Sequence, residues 1–328
     1  MAQRTTTARW AHFVLLWLGV ALVIDVSFWR HQSASGRVVI ALITALAVWG
    51  IAVTTDAGHL ARLRLEDPLL ALAAASASLT LLRVAHLSPV LSATLVGVVG
   101  ALAVRRVRGA QDYHGAPIYA GAFVGITSPL VLPHVAWLLV ASVGAGALWS
   151  ISREAWVGIG GKMGSMSLLA VVATSSLAHL VHQRGPGASA LATHSLVGAM
   201  VVIGAVAAPL TYWLAHRRHW GAVLGSAAPT AAWSLVVALS HSYLHDHGDV
   251  LTYVWFGASF VGMTAPTRWR SPRVAIPIAG VVFSLLVVRF GPYLAGMGGT
   301  AGITALVAVF AVRGVESAVA RRKVPPAT

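Results

Sequence analysis

Cysteine is absent from this chain, and carboxylates are nearly so: nine Asp and Glu stand against 23 Lys and Arg in 328 residues. The first absence excludes disulfides and cysteine-ligated metals. The second argues against the sodium and proton antiporters, which need acidic groups in their core. Catalytic signatures are missing as well. There is no nucleotide-binding glycine loop, no HExxH and no serine elbow. With no acid, base or nucleophile cluster in view, the sequence reads as a non-enzyme with no cofactor.

What the chain has in quantity is apolar surface. Hydrophobic residues make up 57% of it and charged residues only 10%, well beyond the soluble norm. Runs of about 17–22 apolar residues predict about twelve spans. They lie near 10–29, 37–55, 68–87, 88–104, 116–132, 133–151, 160–182, 195–215, 221–243, 250–266, 273–292 and 299–313. The expectation is an all-α polytopic membrane protein, with the fourth, fifth and last spans short. Ser33-Ala34-Ser35 resembles a signal-peptide cleavage site, but the length of the first span favours a retained helix.

Lys and Arg distribution sets the orientation. With the N-terminus inside, only Arg30, Arg37, Arg83, Arg184 and Arg289 fall outside or within spans. This predicts both termini in the cytoplasm of a bacterial-type inner membrane. The net charge of +14 then reflects insertion into a lipid bilayer rather than nucleic-acid binding. Arg321-Arg322-Lys323 reads as a stop-transfer signal that can also touch anionic lipid.

Two segments repeat about 137 positions apart: Ala120-Gly-Ala-Phe-Val-Gly-Ile-Thr-Ser-Pro129 and Gly257-Ala-Ser-Phe-Val-Gly-Met-Thr-Ala-Pro266. Each is followed by a glycine-rich echo, Gly160-Gly-Lys-Met-Gly164 and Gly298-Gly-Thr-Ala-Gly302. The motifs fall in the fifth and tenth spans, an odd separation, so the second copy should cross in the opposite sense. The predicted organisation is a two-helix addition (1–67), a first five-span half (68–184), an inverted second half (195–314) and a basic tail (315–328). Inverted halves are characteristic of proteins that move solutes.

Each motif has a physical use. Gly121 and Gly125, like Ala258 and Gly262, let a second backbone approach. Pro129 and Pro266 would free the carbonyls of Gly125 and Gly262 if the helices ran that far. The Gly160-Gly161 and Gly298-Gly299 pairs open later helices, whose N–H groups favour an anion or a carbonyl oxygen. The predicted pathway is lined by Phe123, Thr127, Phe260 and Thr264 and by the helix starts Gly160–Ser165 and Gly298–Thr300. Small-residue spacing and Pro with Thr are also ordinary packing devices in membrane helices.

Lys162 lies at one helix start, with Thr300 opposite. It is either a solute attractor with Glu154 as counter-charge or an interfacial lysine obeying the positive-inside rule. His241, His245, His247 and Asp249 have ligand-like spacing on the outer side, as do His179 and His182, and imidazoles suit zinc, nickel or copper. Asp25, deep in the first span, reads as a structural hydrogen-bonding group.

Five-span halves in opposed order, the segment Tyr119-Ala-Gly-Ala-Phe-Val-Gly125 and a later special helix start together resemble bacterial urea transporters. The likeness covers mainly 90–170 and extends faintly over 225–310. It implies a channel-like fold of two pseudo-symmetric halves and a homo-oligomer, in that family a trimer. Two departures stand out. The family's Leu-Pro-x-Thr-x-Pro-Phe filter segment is replaced by Gly160-Gly-Lys-Met-Gly-Ser165, and its Asn after the first Tyr is Ala120. Urea is therefore not carried over as substrate. The expected function is a channel or permease for a small neutral or weakly anionic solute. The alternatives are a transition-metal carrier using the external histidines, or a non-transporting sensor or scaffold.

Overall fold

In lipid the backbone satisfies its polar groups within helices or a closed barrel, and continuous apolar stretches of Ala, Val, Leu and Gly of this length favour helices. The computed structural model describes residues 42, 45–51, 60–108, 114–178, 194–240, 247–291 and 295–322. No strand occurs among them. In chain order the helices are α1 (Glu66–Arg83), α2 (Pro89–Arg108), α3 (Gly115–Gly125), α4 (Val135–Ser152), α5 (Lys162–Leu177), α6 (His194–Tyr212), α7 (Ala222–Leu239), α8 (Gly248–Gly262), α9 (Pro272–Phe290) and α10 (Thr300–Arg322). A π-helical turn, Trp213–Arg217, prolongs α6, and a 3-10 turn, Pro266–Arg268, follows α8.

Six helical segments are long and apolar enough to cross a membrane: Pro89–Val107, Val135–Ser152, Ser195–Arg217, Ala222–Leu239, Pro272–Arg289 and Thr300–Ala320. The protein is a helical membrane protein by this measure. The fifth and tenth expected spans need correction. Helix α3 has 11 residues and α8 has 15, which at 1.5 Å per residue reach about 17 and 23 Å, short of the ~30 Å hydrocarbon core. Both stop at the glycine of the repeated motif. Pro129 and Pro266 lie beyond the helix ends and are exposed, so neither kinks a helix nor frees the carbonyls of Gly125 and Gly262 in the way the sequence suggested. Conversely, α2 and α10 run past the expected 104 and 313.

Neighbour relations follow a pattern. Helix α1 lies against α3 and α4, α3 also against α2, α4 and α5, and α4 against α5. Helix α6 lies against α8 and α9, α8 also against α7, α9 and α10, and α9 against α10. The two groups meet where α5 touches α10 and α2 touches α7. Close approach depends on glycine: a methyl on Gly125 would overlap the Ala75 carbonyl of α1, and one on Gly262 the Ala208 carbonyl of α6. Of the expected N-terminal pair, a helical stretch at 45–51 is described, with Gly50 against Phe310 and Gly314 of α10. Asp25 lies outside the described residues.

Candidate functional site

The C-terminal end of α3 carries Thr127, which is 2% exposed. Its Oγ1 accepts a hydrogen bond from the Gly298 N–H at 3.2 Å, just ahead of α10. The end of α8 carries the fully buried Thr264, whose Oγ1 accepts from the Gly160 N–H at 3.0 Å, just ahead of α5. The next residues repeat the arrangement: Ser128 N–H donates to the Gly296 carbonyl and Ala265 N–H to the Gly158 carbonyl, both at 2.8 Å. Thus each repeated motif holds the glycine-rich segment of the other copy.

The glycines are required by backbone conformation. Gly161 and Gly299 have φ of 84° and 91°, in the left-handed region where a side chain is strained. Gly161 then seats against Gly302 and Leu306 of α10, and Gly299 against Gly164 and Leu168 of α5. The helix starts expected to face a solute are instead packed on one another. The N–H groups of Gly160 and Gly298 are occupied by the two threonines. Ser165 is turned back on its own helix, donating to the Gly161 carbonyl at 3.0 Å, and Thr300 Oγ1 donates to the Met297 carbonyl at 2.7 Å.

Between these two bridges lie four rings. Tyr119 and Phe123 come from α3, one turn apart, and Phe256 and Phe260 from α8 at the same spacing. Centroid separations are 4.4 Å for Tyr119–Phe123, 4.7 Å for Phe256–Phe260, 5.2 Å for Phe123–Phe260 and 5.5 Å for Phe123–Phe256. All are favourable tilted or edge-on contacts. The one polar atom on these rings is the Tyr119 hydroxyl, which is buried without a hydrogen bond. Ser226 of α7 is close enough to influence it, but the geometry falls short of a bond. Ser226 instead pairs with Ser259 at 2.6 Å, and Ser259 Oγ also donates to the Phe256 carbonyl at 2.6 Å. Two further fully buried hydroxyls lack partners: Ser78 beside Gly125, and Thr211 beside Gly262. Buried hydroxyls are normally satisfied; Ser78 and Thr211 occupy matching positions at the two helix contacts, apart from the Tyr119 ring.

Lys162 does not face this region. Its Nζ donates to the carbonyls of Ser152 (2.7 Å), Arg153 (3.2 Å) and Ala155 (2.6 Å), and sits 4.6 Å from the Trp149 ring centroid. With three donors used, the ammonium closes the C-terminal end of α4, where a cation is favoured by the helix dipole. Glu154 pairs with Arg153 at 3.7 Å. Of the external metal set, His241 and His245 lie outside the described residues, as do His179 and His182. His247 is the N-cap of α8, and Asp249 is exposed in its first turn.

Sequence reasoning found the bridge residues and two of the four rings. It missed Phe256, although Phe256 precedes Phe260 by the interval that separates Tyr119 from Phe123, so carrying the repeat one turn further upstream finds it. Ser78, Thr211, Ser226 and Ser259 carry no such signal. Comparison with protein-family models, curated proteins and solved structures gives no match for this chain.

Proposed function

We propose that this protein is a channel or permease for a small neutral or weakly anionic solute, built from two inverted five-helix halves with the pathway between α3 and α8. The four-ring cluster with its single unpaired hydroxyl carries this reading. Aromatic walls with one O–H and nearby serines suit a compact solute that presents a hydrogen-bond acceptor and has flat faces. A bare cation would find no carboxylate there, and its desolvation would go uncompensated. Weak anions are accommodated better, because ring edges are electropositive. The rings close the path in this state, so transport requires Phe123 and Phe260 to swing apart, a gating motion of the kind that often limits turnover. The inverted arrangement is supported by the reciprocal Thr–Gly bridges and by the matching neighbours of the two helix groups. The resemblance to urea transporters fits the same picture, without fixing the substrate.

Stopped-flow light scattering on proteoliposomes, with imposed gradients of urea, formamide, glycerol and formate, tests the proposal. Wild-type vesicles should reswell faster than empty ones for at least one solute. Tyr119→Phe makes the cluster wholly phenylalanine; it should fold normally yet slow reswelling by about tenfold, as expected for one lost hydrogen bond to a buried solute. No acceleration over empty vesicles for any of the four sinks the proposal for these solutes and turns attention to metal uptake.

A further inference from the structure

A cluster outside the pathway has no place in that function. Glu66 and Asp67 open α1, and His114 is the N-cap of α3. One ligand atom from each lies within 4.8 Å of the others, and His114 Nδ1 is 3.9 Å from Glu66 Oε1. In a chain with nine carboxylates, two adjacent ones converge on an imidazole. Asp67 is 2% exposed, and no hydrogen bond or ion pair is made by its carboxylate among the described residues. The α1 N-terminus relieves part of that burial, but Glu66 draws on the same helix end, and like charges side by side oppose each other.

We infer that Glu66, Asp67 and His114 bind a divalent transition-metal cation. Two carboxylate oxygens and an imidazole form a set that suits zinc, manganese, iron, cobalt or nickel, and the lack of sulfur excludes a site selective for soft monovalent copper. Neighbouring ligands on a metal with bonds of about 2.1 Å stand about 3.0–3.4 Å apart at octahedral or tetrahedral angles. Side-chain adjustments of about 1–2 Å, shared by the half-buried Glu66 and His114, complete the set. The three groups leave coordination positions open for water. The cation joins the first turn of α1 to the residue that opens α3, the helix whose other end leads to Thr127.

The full-length protein in detergent is titrated with Zn2+ against a chelating dye. The chain has 14 histidines, so the site is read by difference. Asp67→Asn should bind one equivalent fewer than wild type, and Glu66→Gln should bind that equivalent at least about tenfold more weakly, since even outer-shell changes cost 10- to 100-fold. A His241→Ala/His245→Ala/His247→Ala variant should keep it. The cysteine-free background supplies a local reporter: His114→Cys should give a thiolate-to-Co2+ charge-transfer band in the near ultraviolet, lost when Asp67→Asn is added. Unchanged stoichiometry and affinity in both carboxylate variants, or Co2+ binding to His114→Cys without the band, overturns the inference. Should Asp67→Asn fail to fold, Glu66→Gln and the cobalt spectrum decide the matter.

Discussion

Thr127 and Thr264 each use one oxygen to hold a backbone N–H that is otherwise stranded ahead of a helix. Valine keeps the shape and removes the acceptor, leaving a buried donor unsatisfied at about 1–3 kcal/mol. Thr127→Val and Thr264→Val should each lower the unfolding midpoint in detergent, and Thr→Ser at either site should recover most of the loss. Lys162 makes a contrasting case. Lys162→Met removes an ammonium from three carbonyls, where bonds to charged groups are worth about 1.5–3 kcal/mol, so stability should fall by at least about 2 kcal/mol. Solute flux per folded molecule should stay unchanged, because the ammonium points to the end of α4 and away from the rings. A flux defect at wild-type stability contradicts that assignment. The sequence marks these residues but neither role. The threonines stand out because they recur in register. The lysine was visible as a cation at a helix start, but its direction depends on the fold of 152–161, which no local pattern specifies.

At the scale of helices, the short pair α3 and α8 was the hardest feature to read. Hydropathy runs on through Ile126–Leu132 and Met263–Ala265, so the apolar pattern predicts spans where the helices in fact stop. What ends them is packing: Gly125 and Gly262 lie against the carbonyls of Ala75 and Ala208, and the next residues turn away to meet Gly296 and Gly158. Gly125→Ala and Gly262→Ala should each push α3 or α8 off its partner, costing about 1–3 kcal/mol as overpacking does. Lower yield of monodisperse protein and a depressed melting temperature are the measurements. Gly198, which has open space around its α-carbon, is the control: its change to alanine within α6 should be neutral or slightly stabilising.

For the molecule as a whole, the proposed inversion makes a topological demand that the missing cysteines make easy to check. Leu130 and Thr267 occupy corresponding exposed positions just after the two prolines. Single cysteines at 130 and 267 should be labelled by an impermeant maleimide from opposite sides of sealed vesicles, 130 from the periplasmic side and 267 from the cytoplasmic side. Labelling of both from one side rejects the inverted halves. The all-helical membrane class was legible in the sequence, because long apolar runs are written in residue order, whereas Ser226 and Ser259 meet only through the packing of α7 on α8.

The crossed bridges also bear on how the protein is made. Gly160 emerges from the ribosome about a hundred residues before Thr264, the group that satisfies it, and Gly298 must reach back to a threonine made long before. Helices α1–α5 therefore enter the bilayer with an open joint that only α6–α10 can close. Until α8 and the segment ahead of α10 are made, the nascent chain depends on the insertion machinery or on water to shelter that joint, and a chain cut after α5 is a natural target for membrane proteolysis.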